Sequence, residues 1–296
     1  MGDRVDTGSN TFSAGGVAGA IRLALARLMP WMARLRLVAF VAAIGIVAVM
    51  TYRARNSVNL DEIELWWMAP AVPAAMLWWV LLARGWSLLV TGSSRRGDVA
   101  HWCRTQAIRY LPGGIWAPVS RATLLPGTVP DKLTTVAAEN LIALCAAAAI
   151  GGIALAANGD LVWLPLALAP LVPPIATRLT GGRTRVTTAR AIHVSWNDTI
   201  AFLSYTAAAV LVQRAVSGET HVLVVVGAAA LAWAAGLVVV IAPGGLGIRE
   251  VSYVALLAGT FPSAQATTAG VGLRAVTVLA ELICLVLLGR PDRDLT

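Results

Sequence analysis

Glu139, Arg249, Glu250 and Arg274 stand where charge is costly in this sequence of 296 residues. Glu139 lies near the start of a long apolar run, one to two turns in. Arg249 and Glu250 lie inside a stretch broken by Gly and Pro, and Arg274 lies well inside the last apolar run. An ionisable side chain at membrane depth costs about 2.5–3.5 kcal/mol on insertion scales, so each is a candidate for function. An Arg so placed can grip a phosphate through its planar fork, or pair with a carboxylate such as Glu139 or Glu250 to compensate its charge. Arg84 and Glu281 rank lower. Arg84 is close enough to the end of its run to snorkel, and Glu281 shares a helical face with Arg274 and suits helix packing.

A short motif occurs twice. Pro112-Gly113-Gly114-Ile115 recurs as Pro243-Gly244-Gly245-Leu246, the second copy continuing Gly247-Ile248-Arg249-Glu250. Each copy leads into a long apolar run that carries charge: Glu139, with Asn140 beside it, after the first and Arg274 after the second. Paired Gly/Pro-interrupted segments in two halves of a chain point to a transporter's substrate site. Pro removes a backbone donor and Gly permits a sharp turn, so free amides and carbonyls face a cavity. A helix starting after the Gly pair then offers its N-terminal dipole to an anion. An even number of expected spans separates the copies, which starts both from one face, whereas an inverted repeat needs opposite faces. The choice between inverted repeat, parallel repeat and two unrelated turns at helix ends stays open. The candidate substrate-binding set is Pro112, Gly113, Gly114, Arg121, Glu139, Asn140, Pro243, Gly244, Gly245, Gly247, Arg249, Glu250 and Arg274.

Catalytic patterns are missing from the sequence. There is no Walker, GxSxG or HExxH motif. His101, His193 and His221 fall at expected loop or span ends without a carboxylate or Ser nearby. Asn197-Asp198 opens an expected span and reads as interface or helix cap. Cys103, Cys145 and Cys284 are dispersed, which speaks against a disulfide framework or a zinc site. The expectation is a non-enzyme without cofactor or metal.

The elements that must position these residues are helices in a bilayer. The chain is 58% hydrophobic and 13% charged, with a mean hydropathy of +0.74, too little polar material to coat a soluble globule. Helices satisfy their own backbone hydrogen bonds, which the bilayer demands. The fold class is all-α: a polytopic transmembrane bundle of about seven spans, at roughly 35–52, 65–90, 133–157, 161–177, 196–213, 221–242 and 264–289. Two broken or re-entrant Pro-Gly-Gly segments, 110–126 and 242–262, complete it. Residues 1–34 read as a disordered N-terminus plus a basic amphipathic flank, 35–290 as one integral membrane domain, and 291–296 as a tail. Trp66-Trp67 and Trp78-Trp79 suggest interfacial anchoring or packing. The formal charge of +8 comes from Arg in loops, which suits anionic lipid rather than nucleic acid. Arg-rich and Arg-poor loops alternate in a way that sets the N-terminus in the cytoplasm of a multi-pass cell-membrane protein.

Tyr110 through Arg121, Ala138-Glu139-Asn140, Pro243 through Glu250 and Arg274 together resemble the transmembrane domain of lysylphosphatidylglycerol synthetases and stand-alone flippase-like proteins similar to it. The likeness spans about residues 35–290, and the PGGLGIRE copy is its more specific part. It implies movement of aminoacylated or polyprenyl-linked lipids, or of membrane phospholipid, between leaflets, with a glycosyltransferase or aminoacyl-transferase as partner. The sequence ends at Thr296 without the synthetases' transferase domain, so a member that does not itself charge lipid is expected. Trp116-Ala117 stands where many relatives carry Gly-Glu, a departure that bears on any carboxylate in the first copy. The competing expectation is a non-catalytic accessory membrane subunit of a lipid-modifying or glycosyltransferase system, its charges paired internally and its bundle without a cavity.

Overall fold

A computed structural model describes residues 63–108, 116–179, 186–239 and 243–289, with the helical positions Gly45, Ala48, Val49 and Tyr52. The N-terminal flank, most of the first expected span, the first Pro-Gly-Gly at 112–114 and the tail lie outside the described residues. Among the described residues the protein is helical throughout, with no strand.

The helices are α1 (Met68–Thr91), α2 (Arg96–Ala107), α3 (Trp116–Leu124), α4 (Val129–Ala157), α5 (Val172–Leu179), α6 (Thr188–Ser217), α7 (Val222–Val238), α8 (Ile248–Leu256) and α9 (Ser263–Leu288). Three 3-10 pieces join them, at Leu65–Trp67, Leu161–Leu171 and Pro243–Gly245. Five helical stretches are long and apolar enough to cross a membrane: Leu65–Thr91, Val129–Ala157, Leu161–Leu179, Thr188–Ser217 and Ser263–Leu288. The sixth expected span, α7, is a shorter apolar helix of 17 residues. At 1.5 Å per residue it falls somewhat short of a hydrocarbon core about 30 Å thick.

Local chemistry sets the boundaries. Thr128 Oγ1 accepts the Asp131 amide at 3.4 Å while Asp131 Oδ2 accepts the Thr128 amide at 3.3 Å, a reciprocal cap that starts α4. Thr187 Oγ1 likewise accepts the Arg190 amide to start α6. α1 and α6 each end on a left-handed glycine, Gly92 and Gly218. Pro165 and Pro170 each lack a backbone donor, and within the fourth expected span Leu161–Leu171 forms a 3-10 helix that runs on into α5.

Both caps lie earlier than the hydropathy alone placed them, and this corrects several readings. α4 begins at Val129, so Glu139 is nearly three turns inside it rather than one to two. α6 begins at Thr188, so Arg190 is helical rather than in a loop, and its guanidinium reaches the carbonyls of Leu89 and Val90 at 3.5 and 3.2 Å. Asn197 and Asp198 are mid-helix and buried, not an opening cap. His101 and His193 are inside α2 and α6, and His221 has a carboxylate near it, Glu219 Oε2 at 3.9 Å.

α6 is the central post, packed by α1, α4, α5, α7 and α9. Ala201, Ala208 and Ala209 on it, and Ala228, Ala229 and Ala230 on α7, are completely buried, so the backbones approach closely through small side chains. On the outside, large apolar side chains such as Leu168, Leu203, Leu282 and Leu287 are more than half exposed, the arrangement of helices solvated by lipid.

Candidate functional site

Between α1, α2, α3, α4, α6, α7 and the Pro243–Gly245 turn lies a cavity of about 490 Å³. Its polar centre is an ion pair. Arg121 of α3 reaches Glu139 of α4, Nη1 to Oε1 at 2.7 Å, both side chains being nearly closed off from the surroundings. The same Oε1 accepts the indole N–H of Trp102 at 2.7 Å, while the buried Oε2 has no hydrogen-bond partner among the described residues. The guanidinium also stands over two rings, 5.6 Å from the centre of Trp86 and 6.0 Å from that of Trp102. A charge-assisted contact and two aromatic faces together compensate an Arg that water does not reach.

The opposite wall is built by the second Pro-Gly-Gly. Gly244, Gly245 and Gly247 have φ of 60°, 70° and 79°, a left-handed run that side-chain-bearing residues resist. The turn lays Gly245 against Gly236 of α7 with the Arg249 side chain between them. A Cβ on Gly236 would meet Arg249 Cγ, and one on Gly245 would sit 2.7 Å from Arg249 Nε and 3.0 Å from the Gly236 carbonyl oxygen. Guided through that gap, the Arg249 guanidinium lies 5.2 Å over the ring of Trp233. Asp198 of α6 enters the wall between α1 and α4, and Asn140 lines it with its amide donated to the Val136 carbonyl at 2.8 Å.

Glu250, Gly247 and Arg274 lie behind this turn rather than in the cavity. Glu250 Oε2 accepts the Gly247 amide at 2.7 Å and so caps α8, while its Oε1 stands 4.0 Å from Arg274 Nε. Arg274 Nη2 donates to the Gly244 carbonyl at 3.1 Å. Of the two carboxylates considered for Arg274, the fold therefore gives it Glu250 and gives Glu139 to Arg121. Arg84 is exposed and away from the cavity, and Glu281 is buried in α9.

Neither a protein-family model nor a curated protein matches this chain. Among the expected residues the cavity gathers Arg121, Glu139, Asn140, Gly244, Gly245 and Arg249; Pro243 opens the turn, and Pro112, Gly113 and Gly114 lie outside the described residues. Sequence reasoning missed Asp198 and five tryptophans: Trp78, Trp79, Trp86, Trp102 and Trp233. Eleven Trp in one chain was a usable signal, but the Trp78-Trp79 pair read equally well as an interfacial anchor. Instead both are 1–2% exposed, with ring centres 4.9 Å apart, and Trp78 packs on Tyr205 at 4.8 Å. Trp66, by contrast, is 62% exposed.

The indole N–H groups of Trp78 and Trp233 are buried without partners among the described residues. With the guanidinium groups of Arg121 and Arg249 they make the cavity rich in donors, which suits an oxyanion or a hydroxylated group. Among the described residues no cluster of three or more His, Cys, Asp or Glu could hold a metal. Cys103 of α2, beside the cavity wall, has its thiol pushed up to about 12 by burial first and then by Cys284 and Glu281. Thiolate is the reacting species, so Cys103 should resist maleimide at pH 8 in the folded protein and react once it is denatured. Mass spectrometry of the Cys103 peptide before and after denaturation checks this; equal labelling would contradict the packing of α2.

Proposed function

We propose that the protein is a multi-pass membrane protein that takes the polar headgroup of a lipid into this cavity and moves it between leaflets. The observation that carries the reading is a 490 Å³ cavity lined by Arg121, Glu139, Arg249 and Asp198 inside a bundle of apolar helices. Charges are retained at such depth only at a cost, and a cavity holding them has polar groups to offer a headgroup and aromatic surface to offer the rest. The resemblance of PGGLGIRE and its companions to flippase-like domains supports the same substrate class, a phospholipid or polyprenyl-linked lipid. In this reading the membrane is the cell membrane and the N-terminus is cytoplasmic, by the placement of Arg.

One observation favours the second reading, an accessory subunit of a lipid-modifying or glycosyltransferase system. The charges at depth are largely satisfied within the chain, Arg121 by Glu139 and Arg274 by Glu250 with Gly244. The cavity, which that reading does not require, favours transport.

Reconstitution separates the two. Proteoliposomes carrying the protein should expose fluorescently labelled phospholipid of the inner leaflet to an external quencher. Arg249→Ala should slow the exchange at least ~10-fold, about 1.4 kcal/mol of lost interaction. Exchange no faster than in empty liposomes, with a partner enzyme co-purifying, would establish the accessory role instead.

A further inference from the structure

Asp198 is a carboxylate without a cation among the described residues. It is 2% exposed, nearly three turns inside the spanning helix α6, and it lines the cavity. The hydrogen bond it receives comes from the neighbouring side chain, Asn197 Nδ2 to Oδ1 at 3.1 Å. The same Nδ2 donates to the Leu81 carbonyl at 2.7 Å, which fixes the amide's orientation and spends both its hydrogens. Gly85 makes the room: a Cβ there would lie 2.7 Å from Asp198 Oδ1.

The described charged groups on the elements around it offer no compensation. Arg84 of α1 and Arg178 of α5 are exposed. On its own helix, Arg190 is bonded to the Leu89 and Val90 carbonyls, and His193 is exposed. On α9, Arg274 is engaged by Glu250 and Gly244, and Glu281 carries the wrong sign. Across the cavity, Arg121 is held by Glu139 and Arg249 lies on Trp233. α7 carries no titratable side chain. Glu139, which lines the same cavity, is a carboxylate as well and cannot compensate it. A buried carboxylate with one neutral donor and no cation is neutralised by what the surroundings can deliver, and the smallest such species is a proton.

The charge count gives that proton a consequence. With Asp198 ionised, the described lining of the cavity carries Arg121 and Arg249 against Glu139 and Asp198, formally zero. With Asp198 protonated the sum is +1, and an anionic group is better received. We propose that Asp198 is a proton-binding site on the cavity wall, and that its proton and an anionic headgroup bind cooperatively. The second half rests on the headgroup-binding reading above. The step is simple: the carboxylate takes H⁺ from water as the anion enters and returns it as the anion leaves. By linkage the two affinities change by the same factor.

Two measurements on the full chain in detergent test it. Infrared difference spectra across pH should show the C=O stretch of a protonated carboxylic acid that shifts in D₂O and is lost in Asp198→Asn. Short-chain phosphatidylglycerol, whose phosphodiester does not titrate near neutrality, should quench cavity tryptophan fluorescence. Its affinity should rise several-fold from pH 8 to pH 6 in the wild type and stay flat in Asp198→Asn. If Asp198→Asn fails to fold, dicyclohexylcarbodiimide reports the same proton in the wild type. The carboxyl O–H adds across its C=N bond and the adduct rearranges to an N-acylurea, with nothing leaving, so the Asp198 peptide gains the reagent's whole mass. A C=O band unchanged by the substitution, or, where the substitution does not fold, an Asp198 peptide that does not react, overturns the proton site. The band with a pH-independent affinity overturns the cooperativity. The band with no quenching at any pH overturns the headgroup reading and leaves the proton site standing.

Discussion

Replacing Glu139 with Leu lowers the stability of the folded protein by about 3–5 kcal/mol, because it leaves Arg121 charged, enclosed and without its carboxylate. Arg121 has a side-chain exposure of 4% and packs against two tryptophan rings, so it cannot swing out to water without opening the cavity wall. Trp102 also loses its acceptor, at about 1 kcal/mol more. For a domain of this size a loss of several kcal/mol moves the thermal midpoint down by roughly 10 °C. The check is the loss of monodisperse protein on gel filtration after heating in detergent. A double substitution, Arg121→Met with Glu139→Leu, should recover most of the loss, since removing both charges removes the need to compensate either. A single Glu139→Leu as stable as wild type would mean that the pair is not enclosed as described.

The second large effect is at the Pro-Gly-Gly turn. Gly245→Ala costs about 1–2 kcal/mol for a left-handed residue that gains a Cβ. Its Cβ is moreover aimed at the Gly236 carbonyl, 3.0 Å away, which is backbone and cannot rotate aside. The turn must then move off α7, and Arg249 loses its place over Trp233. The expected result is destabilisation of about 2–4 kcal/mol, with a shift in tryptophan emission as Trp233 loses its cation. Gly259 supplies the control. Its φ is +86°, but a Cβ added there would have nothing within 4 Å, so Gly259→Ala should cost the backbone strain alone and leave the emission unchanged. Equal effects at both positions would place the importance of Gly245 in its φ and not in the contact with α7.

Much of the architecture was legible because hydrophobic periodicity and length act locally. The five long apolar helices, and the break at Pro243–Gly245, follow from residues adjacent in the chain. The helix starts were less legible, because a polar first turn looks like loop to a hydropathy average. Thr128 with Asp131, and Thr187, carry the helix back past that point, and this moved Glu139 and Asp198 from span ends to the middle of the bundle. The sequence singled out Glu139, Arg249 and Arg274, whereas Asp198, buried in the middle of α6, had a setting that looked like a cap.

By itself the sequence determined that the chain is helical and lipid-compatible, that it breaks at a glycine-rich turn only left-handed residues can make, and that several charges cannot avoid burial. Which charges meet was decided by tertiary structure. Arg121 and Glu139 lie on separate helices, as do Glu250 and Arg274, so no helical period can relate the partners of either pair. Their pairing depends on how α3 leans on α4 and α8 on α9. The same holds for the cavity: Trp102, Trp233 and Asp198 come from three helices, and only the packing of the helices brings them around one cavity. A sequence specifies each helix's faces through its own neighbours, but the choice of which face meets which is made by the whole set of helices at once.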